Sequence, residues 1–126
     1  MNFYIAASYP LKIQACFLAG KIRENGHKIA STWHDDWEQL IDDPEKWGED
    51  CIRDFSGVRD CNHFVQLTGD NQSKGGRHTE LGIALALGKR ISLIGPNEQV
   101  FHRHPSITHY ARVRDFIERL PTAKLF

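Results

Sequence analysis

The sequence predicts a protein of the α/β class, in which a mostly parallel β-sheet is covered by helices on both faces. Short apolar runs recur along the chain, and the run at residues 3–7 is typical of a buried parallel strand. Segments with helical spacing of apolar residues lie between these runs, and this alternation favours a parallel sheet. The chain has 126 residues, of which 40% are apolar. That size and composition suit one domain with its own core, spanning residues 1–126.

The first strand, at residues 3–7, is followed by an amphipathic helix. We expect this helix to start at Pro10 and to end near residue 25, because Gly26 suits the position just after a helix end. A weaker second strand follows at residues 28–32. The apolar stripe of the helix consists of Leu11, Ala15, Leu18 and Ile22.

A polar, tryptophan-rich stretch at residues 33–43 has no clean period, so it predicts a loop with a short helical turn. Asp43 and Pro44 then form an N-cap and a first helical residue. The helix that they start runs to about residue 60. Its expected inward face consists of Trp47, Cys51, Phe55 and Val58.

The second half of the chain repeats the alternation. A third strand at residues 63–67 leads through a loop with two adjacent glycines to a helix at residues 79–87. A fourth strand covers residues 90–94, and residues 106–109 hold a short fifth strand. The last helix has apolar residues with helical spacing, and Pro121 ends it. Those apolar residues are Val113, Phe116, Ile117 and Leu120.

Four or five parallel strands in a chain of this length predict an open sheet of the flavodoxin-like or Rossmann-like type. Such sheets bind ligands beyond the carboxyl ends of their strands, at the point where the strand order reverses. The loops that reach this edge are therefore the candidate ligand-binding segments. They cover residues 8–11, 32–43, 68–77 and 95–99.

Charge and cysteine content exclude several classes of protein. The 16 basic and 16 acidic residues balance to a net charge of zero, whereas proteins that bind polymeric nucleic acid normally carry a basic excess. No apolar stretch is long enough to span a membrane, and the chain opens into a strand rather than a leader. Three widely spaced cysteines indicate no disulfide framework, and Cys16 and Cys51 are expected in the core. We expect a cytoplasmic protein.

Two histidine-containing segments raise the question of a metal site. They are His34-Asp35-Asp36 and His102-Arg103-His104 with His109. Neither segment has a standard spacing of metal ligands, so we expect surface histidines and no metal site. We also expect no organic cofactor.

The most informative segment is Gly75-Gly76-Arg77-His78-Thr79-Glu80-Leu81-Gly82, which follows a strand and enters a helix. The glycines would let the backbone approach a ligand closely. We place Glu80 in the first helical turn, where the helix dipole favours a carboxylate over a carboxylic acid. A carboxylate there suits attack on a sugar carbon, although the residue could also merely stabilise its helix.

Glu80-Leu81-Gly82, followed by an Ala/Leu-rich turn and Gly88-Lys89, resembles the catalytic segment of the nucleoside 2-deoxyribosyltransferases. The resemblance implies that Glu80 is the nucleophile. It would form a covalent ester with the sugar, release the base, and pass the sugar to a second base or to water.

Two further segments resemble the same family. Asp54 matches an aspartate that serves the active site, and Tyr4 matches a tyrosine near the nucleophile. From the residues alone, Asp54 could equally be a solvated carboxylate paired with Arg53 or Arg59, and Tyr4 could be a packed strand aromatic. Ser8 follows the first strand, in the loop that helps to hold the nucleoside in this family.

The loop before Glu80 departs from the transferase pattern. Lys74 stands where these enzymes carry an acid, and Asp70 is the nearest carboxylate. A related branch, the deoxynucleoside monophosphate N-glycosidases, binds a 5′-phosphate at this place. Ser8 and the loop before Glu80 could bind a 5′-phosphate in the same way. Alternatively, the cationic side chains of the loop could pair with Asp70 or Glu98. The loop residues concerned are Ser73, Lys74, Gly75, Gly76 and Arg77.

Three functions therefore remain open: a deoxyribosyltransferase-like enzyme, a deoxynucleoside 5′-monophosphate N-glycohydrolase, and a non-catalytic module that binds or senses a nucleotide. Each would bind a small nucleoside or nucleotide. Trp33 follows a strand end and is the best candidate to stack on a base, whereas Trp47 is expected in the core. We also expect a homo-oligomer, at least a dimer, with contacts from residues 33–47.

Overall fold

In the computed structural model, residues 1–35, 43–69 and 75–122 are described. The strands are β1 (Asn2–Ala6), β2 (Lys28–Ile29), β3 (His63–Leu67), β4 (Arg90–Ile94) and β5 (Ile107–Tyr110). They form one sheet in the order β2-β1-β3-β4-β5, and every neighbouring pair is parallel. This order confirms the predicted flavodoxin-like open sheet. The strand order reverses between β1 and β3, where such sheets bind ligands.

Within the described ranges, four α-helices cover the sheet, two on each face. They are α1 (Lys12–Glu24), α2 (Trp47–Asp60), α3 (Gly76–Ala86) and α4 (Val113–Glu118). Phe3 and Ile5 of β1 pack with residues of α1 and α4, whereas Tyr4 and Ala6 pack with residues of α2 and α3. This alternation follows from the period of two in a strand. Among the described helices, none combines the length and apolarity that crossing a bilayer requires.

β3 and its neighbour β4 agree with the sequence-based prediction, whereas the other three strands agree less well. β3 and β4 have the expected bounds, and β1 and β5 are each displaced by one residue. β2 has two residues instead of five and pairs only with β1. An edge strand with one neighbour has fewer hydrogen bonds to hold its ends, so a short β2 is consistent with its position.

The predicted inward face of α2 is wrong. Trp47 is 50% exposed and Phe55 is 45% exposed, and Cys51 is also exposed, so only Val58 of the expected set is buried. The helix instead turns Asp54, Gly57 and Val58 towards the sheet, and its aromatic residues lie on the outer side. Spacing alone could not distinguish the two faces, because apolar residues occur on both.

The third helix begins earlier than its sequence pattern predicted. Gly75 adopts the left-handed conformation, with φ of 96°, and its carbonyl accepts hydrogen bonds from the backbone of His78 and Thr79. A glycine adopts this conformation without steric strain, so the helix can start at Gly76. Glu80 consequently lies in the second turn, and its expected first-turn position is wrong.

Gly57→Ala should destabilise the protein, because a Cβ atom there would lie 2.7 Å from Cε2 of the buried Tyr4 ring and 3.1 Å from the carbonyl oxygen of Ala30. We expect a loss of about 1–3 kcal/mol in the free energy of unfolding, measured by urea denaturation. Gly20→Ala in α1 is the matched control. No atom lies within 4 Å of its added Cβ, so it should stabilise by about 0.5–1 kcal/mol. Equal midpoints for the two variants would contradict this packing.

Candidate active site

Three elements bring Tyr4, Asp54 and Glu80 together on the sheet face covered by α2 and α3. Tyr4 lies on β1 and is 1% exposed, and its hydroxyl donates a hydrogen bond to Oε2 of Glu80. Asp54 of α2 lies close to the same hydroxyl, since its negative charge raises the pKa of Tyr4. Two carboxyl groups from facing helices therefore lie beside one phenol, on the strand next to the switch point.

Burial dominates the protonation of this cluster. Together with the smaller effect of the negative charge of Asp54, it raises the pKa of Glu80 to about 8, against the opposing effect of the hydrogen bond from Tyr4. Burial also raises the pKa of Asp54 and of Tyr4. The expectation that the helix dipole keeps Glu80 ionised is therefore wrong, because desolvation of the carboxylate outweighs the dipole beyond the first turn.

Arg53 is a member of this site that the sequence pattern did not single out. Its Nε donates to Oδ1 of Asp54 at 3.1 Å, and a second guanidinium nitrogen lies 3.5 Å from Oδ1 of Asp50. Its positive charge lowers the pKa of both Asp54 and Glu80. The sequence left open whether Asp54 pairs with Arg53 or belongs to the site. The structure shows both, because the paired Asp54 also lies beside Tyr4 and Glu80.

The loops at the carboxyl edge hold the remaining predicted site residues. Ser8 is buried, and its Oγ has no hydrogen-bond partner in the part of the chain that the structure describes. Trp33 is partly buried, and its Nε1 donates to the carbonyl of Ile5 at 2.7 Å, so it lies against the end of β1. Gly75 and Gly76 open α3. The predicted positions of Asp70, Ser73 and Lys74 lie outside the described residues.

Arg77 forms a buried ion pair with Glu98. Its guanidinium lies 2.7 Å from Oε1 of Glu98, and the two side chains are 4% and 7% exposed. The other carboxylate oxygen of Glu98 accepts from the backbone N–H of Gly69 at 3.3 Å. The alternative pairing with Glu98 that the sequence left open is therefore present. It joins the first turn of α3 to the segments that follow β3 and β4.

A hydrogen-bond network beside this ion pair determines the tautomers of two histidines. The backbone N–H of Glu98 donates to Nδ1 of His102 at 2.8 Å, so the proton of this neutral ring is on Nε2, which donates to Oε1 of Gln66 at 3.1 Å. The side-chain amides of Gln66 and Gln99 each donate to Nδ1 of His78 at 3.3 Å. His78 therefore carries its proton on Nε2, and burial lowers the pKa of both histidines.

The expectation that the histidines lie on the surface is wrong for His34 and His102, which are fully buried. His34, Cys16 and Asp35 offer three donor atoms within 4.8 Å of one another. Protein contacts already engage them, since the Cys16 thiol donates to the carbonyl of His34 and Arg23 pairs with Asp35 at 3.0 Å. Cys16 is only partly buried. The absence of a functional metal stays a prediction.

Cavity size does not locate the site. A cavity of about 350 Å³ lies beside Gly95, Arg103 and Tyr110, and the residues that line it do not include Tyr4, Asp54 or Glu80. The convergence of buried carboxyl groups is the stronger indicator, because perturbed acid groups cluster at functional sites.

The architecture and the position of the carboxyl cluster define an α/β protein with the deoxyribosyltransferase fold. A solved 2-deoxyribosyltransferase from Bacillus psychrosaccharolyticus is similar with a TM-score of 0.71 and 18% identity over 100% of both chains. A CMP N-glycosidase from Clostridium botulinum has a TM-score of 0.63 and 18% identity, over 95% of this chain and 98% of that one. These likenesses confirm the fold that the sequence resemblance implied. No family model and no curated protein matches the sequence.

Arg77→Ala should destabilise the protein by about 3–5 kcal/mol, because it leaves the carboxylate of Glu98 buried without its cation. The measurement is urea denaturation. Arg112→Ala is the matched control, since Arg112 pairs with Asp115 on the surface and such pairs contribute about 0–1 kcal/mol. Similar losses in both variants would contradict a structural role for the buried pair.

Proposed function

We propose that the protein cleaves the N-glycosidic bond of a (deoxy)nucleoside or nucleotide, with Glu80 as the nucleophile. The contact of the Tyr4 hydroxyl with the partly buried Glu80 carboxyl, opposite Asp54, carries this proposal. Two carboxyl groups with different surroundings can divide the roles of nucleophile and acid. The likeness to a 2-deoxyribosyltransferase and to a CMP N-glycosidase supports the same type of reaction.

In the first step, the ionised carboxylate of Glu80 attacks C1′ of the sugar, and the bond from C1′ to the base nitrogen breaks with its electron pair on the base. Asp54 can position the sugar or protonate the departing base, and its raised pKa suits an acid. Tyr4 donates to Glu80, which stabilises the carboxylate before attack and after its release. The positive charge that develops on the sugar is stabilised by the neighbouring carboxylates.

In the second step, a water molecule or another base attacks C1′ and Glu80 leaves as a carboxylate. An incoming water gives a proton to the site, and the sugar is released with a hydroxyl at C1′. An incoming base gives a new nucleoside. The nucleophile thus divides one difficult substitution into two, as in a retaining glycosidase.

Hydrolysis of a deoxynucleoside 5′-monophosphate is the second candidate. It is favoured by the buried Oγ of Ser8, a donor in the loop after β1 that has no hydrogen-bond partner among the described residues, and by the glycines that begin α3. Ser73 and Lys74 are the proposed further ligands of the phosphate, and Asp70 and Trp33 the proposed contacts of the nucleoside. The guanidinium of Arg77 is bound to Glu98. We therefore propose that Arg77 contributes to the phosphate site by holding the start of α3 in place.

Glu80→Gln should lower the rate of base release by at least about a thousandfold, because the amide cannot form the sugar ester. Base release from deoxynucleosides and from their 5′-monophosphates is measured by chromatography. Wild-type protein, quenched rapidly without an acceptor, should carry a sugar adduct on Glu80 in mass spectrometry. Glu118→Gln is the matched control, since Glu118 pairs with Arg114 on α4.

Turnover by Glu80→Gln at the wild-type rate would remove Glu80 as nucleophile. Absence of the adduct, together with inverted stereochemistry at C1′, would assign the attack to water instead. No base release from any substrate by a folded wild-type protein, with nucleotide still bound, would favour the non-catalytic binding module.

The pH dependence of kcat/KM should show the ionisation of Glu80. Attack needs the carboxylate, so activity should rise with pH and level off above the pKa of about 8. Asp54→Asn removes a negative charge that raises this pKa. In this variant the midpoint of the rise in kcat/KM should therefore move to lower pH, and the maximal rate should fall. A profile that is flat between pH 6 and 9 (a range of about one to two pH units on either side of the midpoint) would contradict the assignment.

We also propose a homo-oligomer, at least a dimer, whose contact includes the outer face of α2. Trp47, Ile52 and Phe55 are 50%, 69% and 45% exposed on this helix, and contiguous apolar surface of this kind marks interaction sites. Ile52→Glu/Phe55→Glu should yield monomers in light scattering. Ile13→Glu/Phe17→Glu on the exposed side of α1 is the control. A monomeric wild type at assay concentration would contradict the proposal.

A further inference from the structure

A second cavity, of about 310 Å³, lies between α4 and the sheet, remote from Glu80. His63 and Arg90 line it, and they are the first residues of β3 and β4. Parallel strands start at the same edge, so these two residues lie at the amino edge of the sheet. It also lies on the face covered by α1 and α4, whereas Tyr4 and Glu80 meet on the other face.

The charged groups of this cavity are all cationic. Arg90 and Arg119 line it, and no carboxylate does so among the residues that the structure describes. Neither arginine forms an ion pair within residues 1–35, 43–69 and 75–122. Six other arginines there do pair with a carboxylate: Arg23, Arg53, Arg59, Arg77, Arg112 and Arg114. Arg103 also has no carboxylate partner among the described residues, but it does not line this cavity. Two guanidinium groups that pair with no described carboxylate can together bind an anion in the cavity.

His63 adds an independent observation. Its ring stacks on Phe3 with centroids 4.9 Å apart and meets Phe116 edge-on at 5.9 Å. It is 8% exposed, its Nε2 lies 2.7 Å from Oγ of Ser92, and its Nδ1 has no partner in the described chain. A buried ring nitrogen without a partner is costly, and a bound ligand is one way in which such a group is satisfied.

The other walls suit the organic part of a ligand. The hydroxyl of Thr108 is a further hydrogen-bond donor, and Tyr110 and Phe116 supply aromatic surface. The volume falls at the lower end of the range of about 300–1,000 Å³ that is typical of small-molecule sites. A bare phosphate ion would leave much of this space empty.

We propose that this cavity is a second binding site, for a small phosphate monoester. Arg90 and Arg119 would hold the phosphate, with Thr108 as a further donor, and the organic part would lie against Tyr110 and Phe116. If Ser92 donates its hydroxyl proton to Nε2 of His63, Nδ1 carries a proton and can donate to the ligand. The site does not depend on the function proposed for Glu80, because it shares no residue with that cluster.

The test is an NMR titration of the full-length, ¹⁵N-labelled protein with ribose 5-phosphate, inorganic phosphate and ribose. Ribose 5-phosphate should shift the backbone amides of Arg90, Ser92, Thr108 and Arg119, and ribose should not. Arg90→Gln/Arg119→Gln should weaken this binding by at least about tenfold, since it removes two charged donors. Both arginines are exposed, so the variant should fold.

Arg59→Gln/Arg114→Gln is the matched control, because it removes the same net charge from two surface ion pairs. Retained affinity in this control supports the site, and an equal loss in both double variants would show attraction by net charge alone and overturn it. Shifts confined to the residues around Glu80 would also overturn it. Inorganic phosphate bound as tightly as ribose 5-phosphate would overturn the assignment to a monoester.

Discussion

The contact between the Tyr4 hydroxyl and the Glu80 carboxyl is the interaction on which the rest of the site depends. It joins β1, the strand next to the switch point, to α3, the helix that follows the glycine loop. Burial at this place raises the pKa of Glu80 to about 8, and a donor from the fully buried Tyr4 partly offsets the loss of water. For the nucleophile proposed at Glu80, this desolvation means that less solvent must be displaced on attack.

The orientation of α2 follows from the same contact. Asp54 must face the sheet to reach Tyr4, and Gly57 must lie above the Tyr4 ring, where any larger residue would collide with it. The helix therefore directs its carboxylate and its glycine inwards and leaves Trp47 and Phe55 exposed. The packed face of α2 therefore combines the buried Val58 with Asp54 and Gly57, and it does not contain the aromatic residues of the helix. Arg53 offsets part of the negative charge that this arrangement concentrates.

Sequence patterns predicted the parts of the structure that apolar burial controls. β3 and its neighbour β4 are buried along nearly their whole length, and the apolar residues within them marked their extent correctly. The start of α3 could not be predicted from its apolar spacing, because the left-handed conformation of Gly75 determines it. Similarly, the family resemblance indicated Tyr4, Asp54 and Glu80, and the structure places them together. The Arg77–Glu98 pair joins residues 21 positions apart. The local sequence around Arg77 could not show whether Asp70 or Glu98 is its partner.

The polar groups at the start of α3 explain how a short helix that begins with a glycine can hold the Glu80 side chain in place. Arg77 anchors the first turn of α3 to Glu98, and His78 is held in the same turn by the amides of Gln66 and Gln99. Each histidine in this network accepts a proton donor at Nδ1, so protonation at that nitrogen would break a hydrogen bond inside a buried region. The lowered pKa values of His78 and His102 reduce that risk at neutral pH. Glu80 follows two residues after His78, on the side of the helix that faces Tyr4. The network therefore restrains the start of α3 on one side, while Tyr4 and Asp54 surround the Glu80 carboxyl on the other.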